Sequence, residues 1–492
     1  MEPAFRNDSY FHRNVLLAAC VLFVLTAWFS VGYHSADEHF QIIAFAQWEL
    51  GELPLEHLAW EFDAGIRSSL QPWIAVAVFK IAAAFGSEDP FMRTFLLRLL
   101  TAALALIAIR GYVVATLTSV PRTFRKPFIL LSYFLWFLPF LHVRFSSEGW
   151  SGIFLVLCLT TVLQREQVRW WAVRAGAFAG IAILCRPPTG LIILSAMAWM
   201  LLVRKDPWRE VFTMVIGASI VMLLGVLLDS AFYGHFNPTV WKYVSMGFGG
   251  DPAHRFDELP WYYYAPWMVK YGIPPIGGLI VIAFALLCIK QPKSLPVWCI
   301  LPFVVVHSYI PHKELRFLYP LADLAPLVLV LGLNELAPWL RTLIMRPLRV
   351  IGILVLTATN LLGLVIVTTS AAGEGRVVLA KEIHNRTIAP NERIAYLIQP
   401  DIAWRIGLPA FYLPKGMREI AIGPGNWKAD LEPINYVVAH PNDAGPFAAE
   451  QGLELSLLAR TEPRWAEHLM SWYTWYEGPA SWALYRVEKM GR

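Results

Sequence analysis

The chain has 492 residues, of which 57% are hydrophobic and only 16% are charged, with a formal net charge of +5. A soluble globular domain usually carries about 25% charged residues, so this composition excludes an ordinary soluble protein. The modest positive charge gives no reason to expect a nucleic-acid partner. The five cysteines lie in or beside apolar runs without metal-ligand spacing, which argues against a disulfide framework and a zinc site.

Long apolar runs recur along the chain, and the first of them, residues 15–33, carries no charge. Such a run approaches the roughly 20 residues that a helix needs to cross a bilayer. The sequence therefore predicts an all-α polytopic membrane protein with about eleven transmembrane helices. These spans lie near residues 15–33, 93–117, 127–141, 151–164, 172–186, 189–203, 211–232, 272–290, 296–311, 317–338 and 350–370.

Short basic connectors separate many of these runs and predict the orientation of the chain. Lysine and arginine concentrate in cytoplasmic loops, so the opposite, non-cytoplasmic side receives the longer and more acidic segments. These are residues 34–92, 142–150, 233–271, 312–316 and everything after about 371. Residues 71–85 are apolar but short and contain Lys80. Counting them as a span would reverse every later loop, so we predict a helix in the interface or one that re-enters the membrane.

The last part of the chain differs in composition from the rest. Charged residues and prolines return after residue 370, and short strand-like runs appear at 436–439 and 482–487. We therefore predict a membrane domain over residues 1–370 and a small soluble α+β domain over residues 371–492, on the non-cytoplasmic side.

The first outer loop opens with the adjacent carboxylates Asp37 and Glu38, directly after a predicted span. Two neighbouring carboxylates repel each other unless a cation or a proton-donating substrate is nearby. A carboxylate at the mouth of a membrane cavity could remove a proton from a hydroxyl group. The alternative is structural, with ordinary acidic residues in the first turn of a helix. The pair could also hold a divalent cation, although no second ligand set is visible.

Two further polar clusters follow on the same predicted side. Arg67 lies beside two serines and could bind a phosphate or carboxylate, or simply pair with Glu61 or Asp63. The second outer loop contains Arg144 and Glu148 in a compact polar stretch between apolar runs.

The densest cluster of ionisable residues is formed by His312, Lys313, Glu314 and Arg316, between two apolar runs. Removing such charges from water costs several kcal/mol unless they pair or meet a ligand. The three cationic residue types would form a receptor for a phosphate, with Glu314 orienting one of them. A charge collar at the membrane interface is the alternative.

An acid–base group and an anion site on one membrane face suit group transfer from a phosphate-linked donor to a hydroxyl. A proton-coupled transporter also uses membrane carboxylates, but it usually places them near the bilayer midplane. The predicted clusters lie in loops, which favours an enzyme over a transporter or flippase.

Several motifs resemble those of family 22 glycosyltransferases of the GT-C superfamily. The acidic motif of the first loop is similar to residues 35–41, with Trp60-Glu61, Arg67-Ser68 and Pro72 following, and the HKE-RF motif is similar to residues 312–317. Residues 142–148, 185–189 and 228–234 extend the resemblance over about residues 30–320. The chain departs from the family at His34-Ser35-Ala36, where the family has His-Pro, and at Leu315, where many members have a second Glu. The family motif RPT also gains a proline here. These departures bear on the acceptor more than on the reaction.

The resemblance implies a membrane mannosyltransferase of glycolipid or glycan assembly, with a GT-C helix bundle and a long first outer loop over the active site. The donor would be mannose on a polyprenyl or dolichyl phosphate, and the acceptor a hydroxyl of a glycan or glycolipid. Transfer would invert the anomeric centre and give an α-mannoside. A GT-C enzyme for a different lipid-linked sugar is the nearest alternative.

The resemblance also implies roles for the clusters named above. Asp37 would be the catalytic base, with Glu38 as its neighbour or substitute. His312, Lys313 and Arg316 would bind the donor phosphate. The supporting residues would be Glu314, Arg67, Arg144 and Glu148. The outer face would be the periplasmic side of a bacterial inner membrane or the lumenal side of the endoplasmic reticulum.

Overall fold

The computed structural model describes residues 3–248, 258–373, 376–386, 392–397, 409–414, 416–423, 434–461 and 482–489. The chain packs as two units. The first comprises Met1–Trp28, Ala36–Phe85 and Leu96–Thr369, and the second comprises Phe29–Ser35, Gly86–Phe95 and Ser370–Arg492. The second unit thus includes two short segments that precede residue 370, which the sequence did not indicate. The expected domain division at residue 370 stays a prediction.

The first unit is helical. Its α-helices begin with α1 (Pro3–Phe29), α2 (Ala36–Glu38), α3 (Ala44–Glu49), α4 (Trp60–Ala64), α5 (Leu70–Ala84), α6 (Pro90–Thr116), α7 (Arg125–Phe134), α8 (Leu138–Leu141) and α9 (Ser147–Leu163). They continue with α10 (Trp171–Cys185), α11 (Thr189–Trp199), α12 (Trp208–Tyr233), α13 (Thr239–Phe248), α14 (Tyr264–Tyr271), α15 (Pro274–Lys290), α16 (Leu295–Tyr309), α17 (Ala325–Leu343) and α18 (Arg346–Thr369).

Shorter turns of other helix types connect these elements. Two segments, His39–Ile43 and Met200–Arg204, are π-helical. The segments Leu55–His57, Arg122–Phe124 and Leu315–Leu324 are 3₁₀-helical. The last of these follows directly on the HKE-RF motif and leads into α17.

Five helical stretches of the described chain are long and apolar enough to cross a membrane. They are Asp8–Phe29, Pro90–Thr116, Trp208–Tyr233, Leu315–Pro338 and Arg346–Thr369. The pair α15 and α16 passes the same test together but bends by 113° at its break, which gives up to six. The remaining apolar helices are shorter, including α5, which corresponds to the predicted interfacial helix. The helical, membrane-type fold is confirmed, whereas the count of about eleven spans is not.

Helices α10 and α12 pack closely through glycines. A Cβ atom at Gly176 would lie 2.0 Å from the carbonyl oxygen of Met214, and one at Gly217 would lie 2.5 Å from that of Val173. Small residues let two membrane helices approach until their backbones touch. This contact fixes α12, whose last turns reach the site described below.

A second close approach joins α9 to the 3₁₀ helix Leu315–Leu324. A Cβ atom at Gly152 would lie 3.1 Å from the Cα of Pro320. At the start of α9 the Ser146 side chain caps the helix by accepting a hydrogen bond from the Gly149 amide at 3.1 Å. The cap fixes where α9 begins, and the approach of Gly152 holds α9 against the segment that carries Arg316.

The second unit contains α19 (Arg376–His384), α20 (Pro441–Gln451) and the strands β1 (Arg393–Tyr396), β2 (Arg418–Ala421), β3 (Tyr436–Ala439), β4 (Leu453–Arg460) and β5 (Ala483–Lys489). The strands form one sheet in the order β2-β1-β3-β5-β4. The pairs β1–β2 and β1–β3 are parallel, and β3–β5 and β4–β5 are antiparallel. The predicted small C-terminal sheet is therefore confirmed. Residues 398–408, 424–433 and 462–481 of the predicted domain lie outside the described residues.

Candidate active site

The two adjacent carboxylates of the first loop point to different partners. Asp37 and Glu38 form the short helix α2, which continues into the π-helical turn His39–Ile43. Oδ2 of Asp37 lies 2.6 Å from Nη1 of Arg316 and 3.6 Å from Nη2 of Arg67. Oε2 of Glu38 instead lies 3.7 Å from Nη1 of Arg144. The mutual repulsion expected of an acidic pair is thus relieved by arginines from three other segments.

The first turn of α9 adds a buried carboxylate to this cluster. Oε1 of Glu148 lies 3.1 Å from Nη1 of Arg186 and 3.8 Å from Nη1 of Arg316. The side chains of Glu148 and Arg186 are only 3% and 6% exposed. Because ion pairs of this kind are weakly screened by solvent, Glu148 couples electrostatically to the same arginine that contacts Asp37.

The HKE-RF motif forms a compact set of charge-assisted hydrogen bonds around Glu314. Arg316 donates from Nη2 to Oε1 of Glu314 at 2.9 Å and from Nε to Oε2, and His312 lies 3.1 Å from Oε1. Burial alone would raise the pKa of Glu314, but the hydrogen bonds from His312 and Arg316 and the Arg316 charge hold it well below its ordinary range. Glu314 therefore orients Arg316, as the sequence predicted for a supporting residue.

Lys313 has a different environment from its neighbours. Its ammonium group donates to the carbonyl oxygens of Leu259, Ile310 and Pro311 at 2.8, 2.6 and 3.4 Å. The residue is 3% exposed, and this burial lowers its pKa. These contacts use the three donors of the ammonium group. The structure thus places Lys313 where it joins the loop before α14 to the end of α16.

Arg67 connects Asp37 to a further acidic residue, Glu61. Its Nη2 lies 3.7 Å from Oε1 of Glu61, which also accepts a hydrogen bond from Nε2 of Gln41 at 2.7 Å. Burial raises the pKa of Glu61, although the Arg67 charge opposes this effect. The two ion pairs of Arg67 are longer than hydrogen-bond distance, so its position relative to Asp37 depends on how the backbone at residue 67 is held.

Arg186 belongs to this cluster, although the sequence did not single it out as a site residue. Its guanidinium lies 4.9 Å from the centre of the Phe317 ring, and its Nη1 contacts Glu148. The residue follows α10 and precedes the two prolines that lead into α11. The signal in the sequence was the similarity of residues 185–189 to the family motif RPT, which did not identify the partner of Arg186.

The structure brings the predicted site residues together. Lys313 differs from the others because its side chain contacts backbone carbonyl oxygens. The ion-paired carboxylates are Asp37, Glu38, Glu61, Glu148 and Glu314, and their arginine partners are Arg67, Arg144, Arg186 and Arg316. A negatively charged substrate would therefore meet arginines that are already oriented by carboxylates, an arrangement suited to stabilising a developing anion.

The described residues contain no group of three or more His, Cys, Asp or Glu side chains arranged to hold a metal ion. Arg316 and Arg67 lie near Asp37, and Arg144 lies near Glu38. A divalent cation at Asp37 and Glu38 stays a prediction.

A comparison with solved structures identifies a similar fold. The crystal structure of ArnT from Cupriavidus metallidurans in the apo state aligns with a TM-score of 0.53 and 14% sequence identity, covering 96% of both chains. At this level of identity the likeness concerns the fold alone.

Sequence comparisons relate the chain to several GPI mannosyltransferases. The GPI alpha-1,2-mannosyltransferase 3 of Bos taurus is 22% identical over 295 residues, which are 58% of this chain and 52% of that protein. The GPI mannosyltransferase 3 of Yarrowia lipolytica is 24% identical over 306 residues, which are 61% of this chain and 58% of that protein. The chain thus spans a little over half the length of these relatives. The profile of the Alg9-like mannosyltransferase family matches residues 15–395, and the chain belongs to this family.

Proposed function

We propose that the chain is a membrane mannosyltransferase. It transfers mannose from a polyprenyl or dolichyl phosphate to a hydroxyl of a glycan or glycolipid acceptor, with inversion, and so forms an α-mannoside. The observation that carries this proposal is the ion pair between Asp37 and Arg316, which joins a carboxylate suited to proton removal to a cation suited to phosphate. Membership in the Alg9-like mannosyltransferase family supports mannose as the sugar.

The proposed reaction is a single displacement at the anomeric carbon. The acceptor oxygen forms a bond to this carbon while the bond from the carbon to the phosphate oxygen breaks. The acceptor proton passes to Asp37, and the bonding electron pair leaves with the phosphate. General-base catalysis of this kind contributes typically about 10²–10⁴-fold.

The Asp37–Arg316 contact couples proton transfer to departure of the phosphate. While Asp37 is ionised, it shares the charge of Arg316 at 2.6 Å. When Asp37 takes the acceptor proton, its negative charge disappears at the moment when negative charge develops on the phosphate. The Arg316 charge then acts on the leaving group, a stabilisation specific to the transition state.

The remaining site residues support these two steps. His312 and Arg316 face the donor phosphate, and Glu314 holds both of them by hydrogen bonds. Lys313 was predicted as a third phosphate ligand, and its contacts with three carbonyl oxygens favour a role in fixing this loop. Glu38, Arg144 and Glu148 line the cluster, and Arg67 orients Asp37.

We further propose a GT-C arrangement of about eleven membrane-crossing helices, with α5 lying in the interface or re-entering the membrane. The site then opens to the non-cytoplasmic face, either bacterial periplasm or lumen of the endoplasmic reticulum. The basic connectors of the sequence support this orientation.

The experiment is sugar transfer by the purified full chain from synthetic polyprenyl-phosphate mannose to a lipid-glycan extract, with Asp37→Asn in parallel. We expect time-dependent release of polyprenyl phosphate by the wild type and a loss of about 10²–10⁴-fold in the variant. Binding of polyprenyl phosphate alone should persist in Asp37→Asn, as a control for folding. Turnover only with another lipid-linked sugar would correct the donor, and binding without turnover of any donor would refute the transferase in favour of a transporter.

A further inference from the structure

The acidic residue Asp229 lies near the end of the long apolar helix α12 and is 1% exposed. It belongs to the sequence stretch 228–234, which resembled the family but received no role. A charged side chain in such a helix is costly unless it is paired or hydrogen-bonded. The contacts of Asp229 therefore indicate its role in the protein.

Asp229 accepts hydrogen bonds from the two serines that follow Arg67. Its Oδ1 accepts hydrogen bonds from the amide of Ser69 at 2.7 Å, from the Ser69 hydroxyl at 2.7 Å and from the Ser68 hydroxyl at 3.2 Å. One buried carboxylate oxygen thus fixes the backbone immediately after Arg67.

Two further contacts hold the backbone at Arg67 and just before it. The Tyr233 hydroxyl donates to the carbonyl oxygen of Arg67 at 2.7 Å, and Nδ2 of Asn237 donates to that of Gly65 at 3.0 Å. Gly65 has φ = +63°, and a Cβ atom there would lie 2.5 Å from Oδ1 of Asn237. The end of α12 and the loop after it therefore hold the backbone of residues 65–69 by several hydrogen bonds.

We propose that Asp229 is a positioning residue that acts through Arg67. It fixes the backbone at residues 67–69 so that the Arg67 guanidinium reaches Asp37 at 3.6 Å and Glu61 at 3.7 Å. This inference rests on the proposed function, because it assigns Asp229 to the same site. Tyr233 assists by holding the Arg67 carbonyl oxygen.

The test is a double-mutant cycle between residues 229 and 67. Asp229→Ala should reduce kcat/KM for the lipid-linked donor by about 100-fold, the scale expected when a catalytic group is displaced by about 1 Å. In an Arg67→Ala background, Asp229→Ala should change kcat/KM by less than about threefold, since the guanidinium that Asp229 positions is absent. Asp229→Asn, which keeps one acceptor oxygen, should recover much of the activity, and Tyr233→Phe should give a smaller loss with the same dependence on Arg67.

A matched control lies at the other end of the same helix. Asp206 precedes α12, has a side chain that is 1% exposed and pairs with Arg165 and Arg204. It lies about 35 Å from Asp229 along the helix axis. Asp206→Asn also removes a buried charge, so it can lower activity by lowering stability. Because Asp206 does not act through Arg67, the activity losses of Asp206→Asn and Arg67→Ala should multiply in the double variant. The thermal unfolding temperature is measured for every variant.

Multiplicative losses for Asp229→Ala and Arg67→Ala would overturn the proposal. The contact itself is tested by hydrogen exchange at the Ser69 amide, which should accelerate in Asp229→Ala and remain unchanged in Asp206→Asn. If the wild type turns over no donor, the same cycle is measured on binding of polyprenyl phosphate. A wild type that turns over no donor would refute the proposed function whether or not it binds, whereas unchanged Ser69 exchange would refute the positioning role.

Discussion

The guanidinium of Arg316 contacts the carboxylate of Asp37 at 2.6 Å, although these residues lie far apart in the sequence. Arg316 also reaches Glu314 and lies 3.8 Å from Glu148. One side chain therefore links α2, the first turn of α9 and the HKE-RF motif. This arrangement requires the planar, forked shape of arginine, because several partners are served in different directions.

Replacement of Arg316 by lysine tests this requirement. Lysine keeps the charge but places it at a single point, so it cannot hold Glu314 and Asp37 together in the same geometry. We expect Arg316→Lys to lower kcat/KM by at least about 10-fold while the protein still folds. Transfer assays and thermal unfolding would measure both properties. Wild-type kinetics in the lysine variant would contradict a role for the guanidinium shape.

We expect the buried ion pair between Glu148 and Arg186 to contribute to the free energy of unfolding. Removing one member of a buried ion pair leaves the other charge without compensation, which costs about 3–5 kcal/mol. Glu148→Gln should therefore lower the free energy of unfolding by about this amount, and a clear fall in the thermal unfolding temperature in detergent would reveal it. The double variant Glu148→Gln, Arg186→Met should lose less than the sum of the single variants.

Two carboxylates of the site should respond to pH with opposite signs. The pKa of Glu314 is lower in the folded chain, so its ionised form stabilises the fold above about pH 4, and this contribution disappears on acidification. Glu314→Gln should be less stable than the wild type at pH 7, with a difference that shrinks as the pH falls. Thermal unfolding across a pH series provides the measurement.

Glu61, in the same cluster, should show the opposite dependence of stability on pH. Its pKa is raised in the folded chain, so its contribution is present at low pH and is lost as the pH rises through the folded value. Glu61→Gln should therefore become more stable relative to the wild type as the pH increases. An identical pH dependence for the Glu61 and Glu314 variants would contradict these environments.

Lys313 should behave as a loop-fixing residue. Lys313→Met keeps the apolar stem and removes the ammonium donor from the carbonyl oxygens of Leu259, Ile310 and Pro311. We expect a lower unfolding temperature together with faster hydrogen exchange at the Leu259 amide, which donates to Pro311 at 3.0 Å. Weaker donor binding with unchanged exchange would instead support direct contact with the phosphate.

The proposed orientation predicts labelling from opposite sides of the membrane. Trp170 lies exposed in a basic connector, and Asn442 lies exposed in the second unit. A cysteine at position 170 should react only with membrane-permeant reagents, and one at position 442 should react with impermeant reagents added outside. The reverse pattern would overturn the orientation, and the unsubstituted chain controls for its own five cysteines.

Hydrophobic runs predicted the helices well, because apolar length is their principal signal. The predicted span 211–232 corresponds to Trp208–Tyr233, and 272–290 corresponds to Pro274–Lys290. The predicted span 127–141 instead divides into α7 and α8, and 317–338 begins as a 3₁₀ helix that contains Pro320. Apolar composition does not specify helix type or breaks, which depend on local hydrogen bonding and neighbouring elements.

The charged clusters of the site were also visible in the sequence, since charges near apolar runs are conspicuous. The sequence did not show which of these charged residues pair with each other. Adjacent residues such as Asp37 and Glu38 reach different arginines, and Lys313 turns away from the direction of its neighbours. Such choices are made by the tertiary arrangement of the loops, so they could not be read from spacing.

The approach of Gly152 to Pro320, 3.1 Å from a Cβ position to the Cα atom, has a consequence for how the site is tuned. Gly152 lies on the helix that begins beside Glu148, and Pro320 lies on the segment that carries Arg316. The volume of one uncharged residue thus sets the spacing between two charged segments. A methyl group there would act as a wedge, which would change the geometry of the ion pairs while leaving every charge in place.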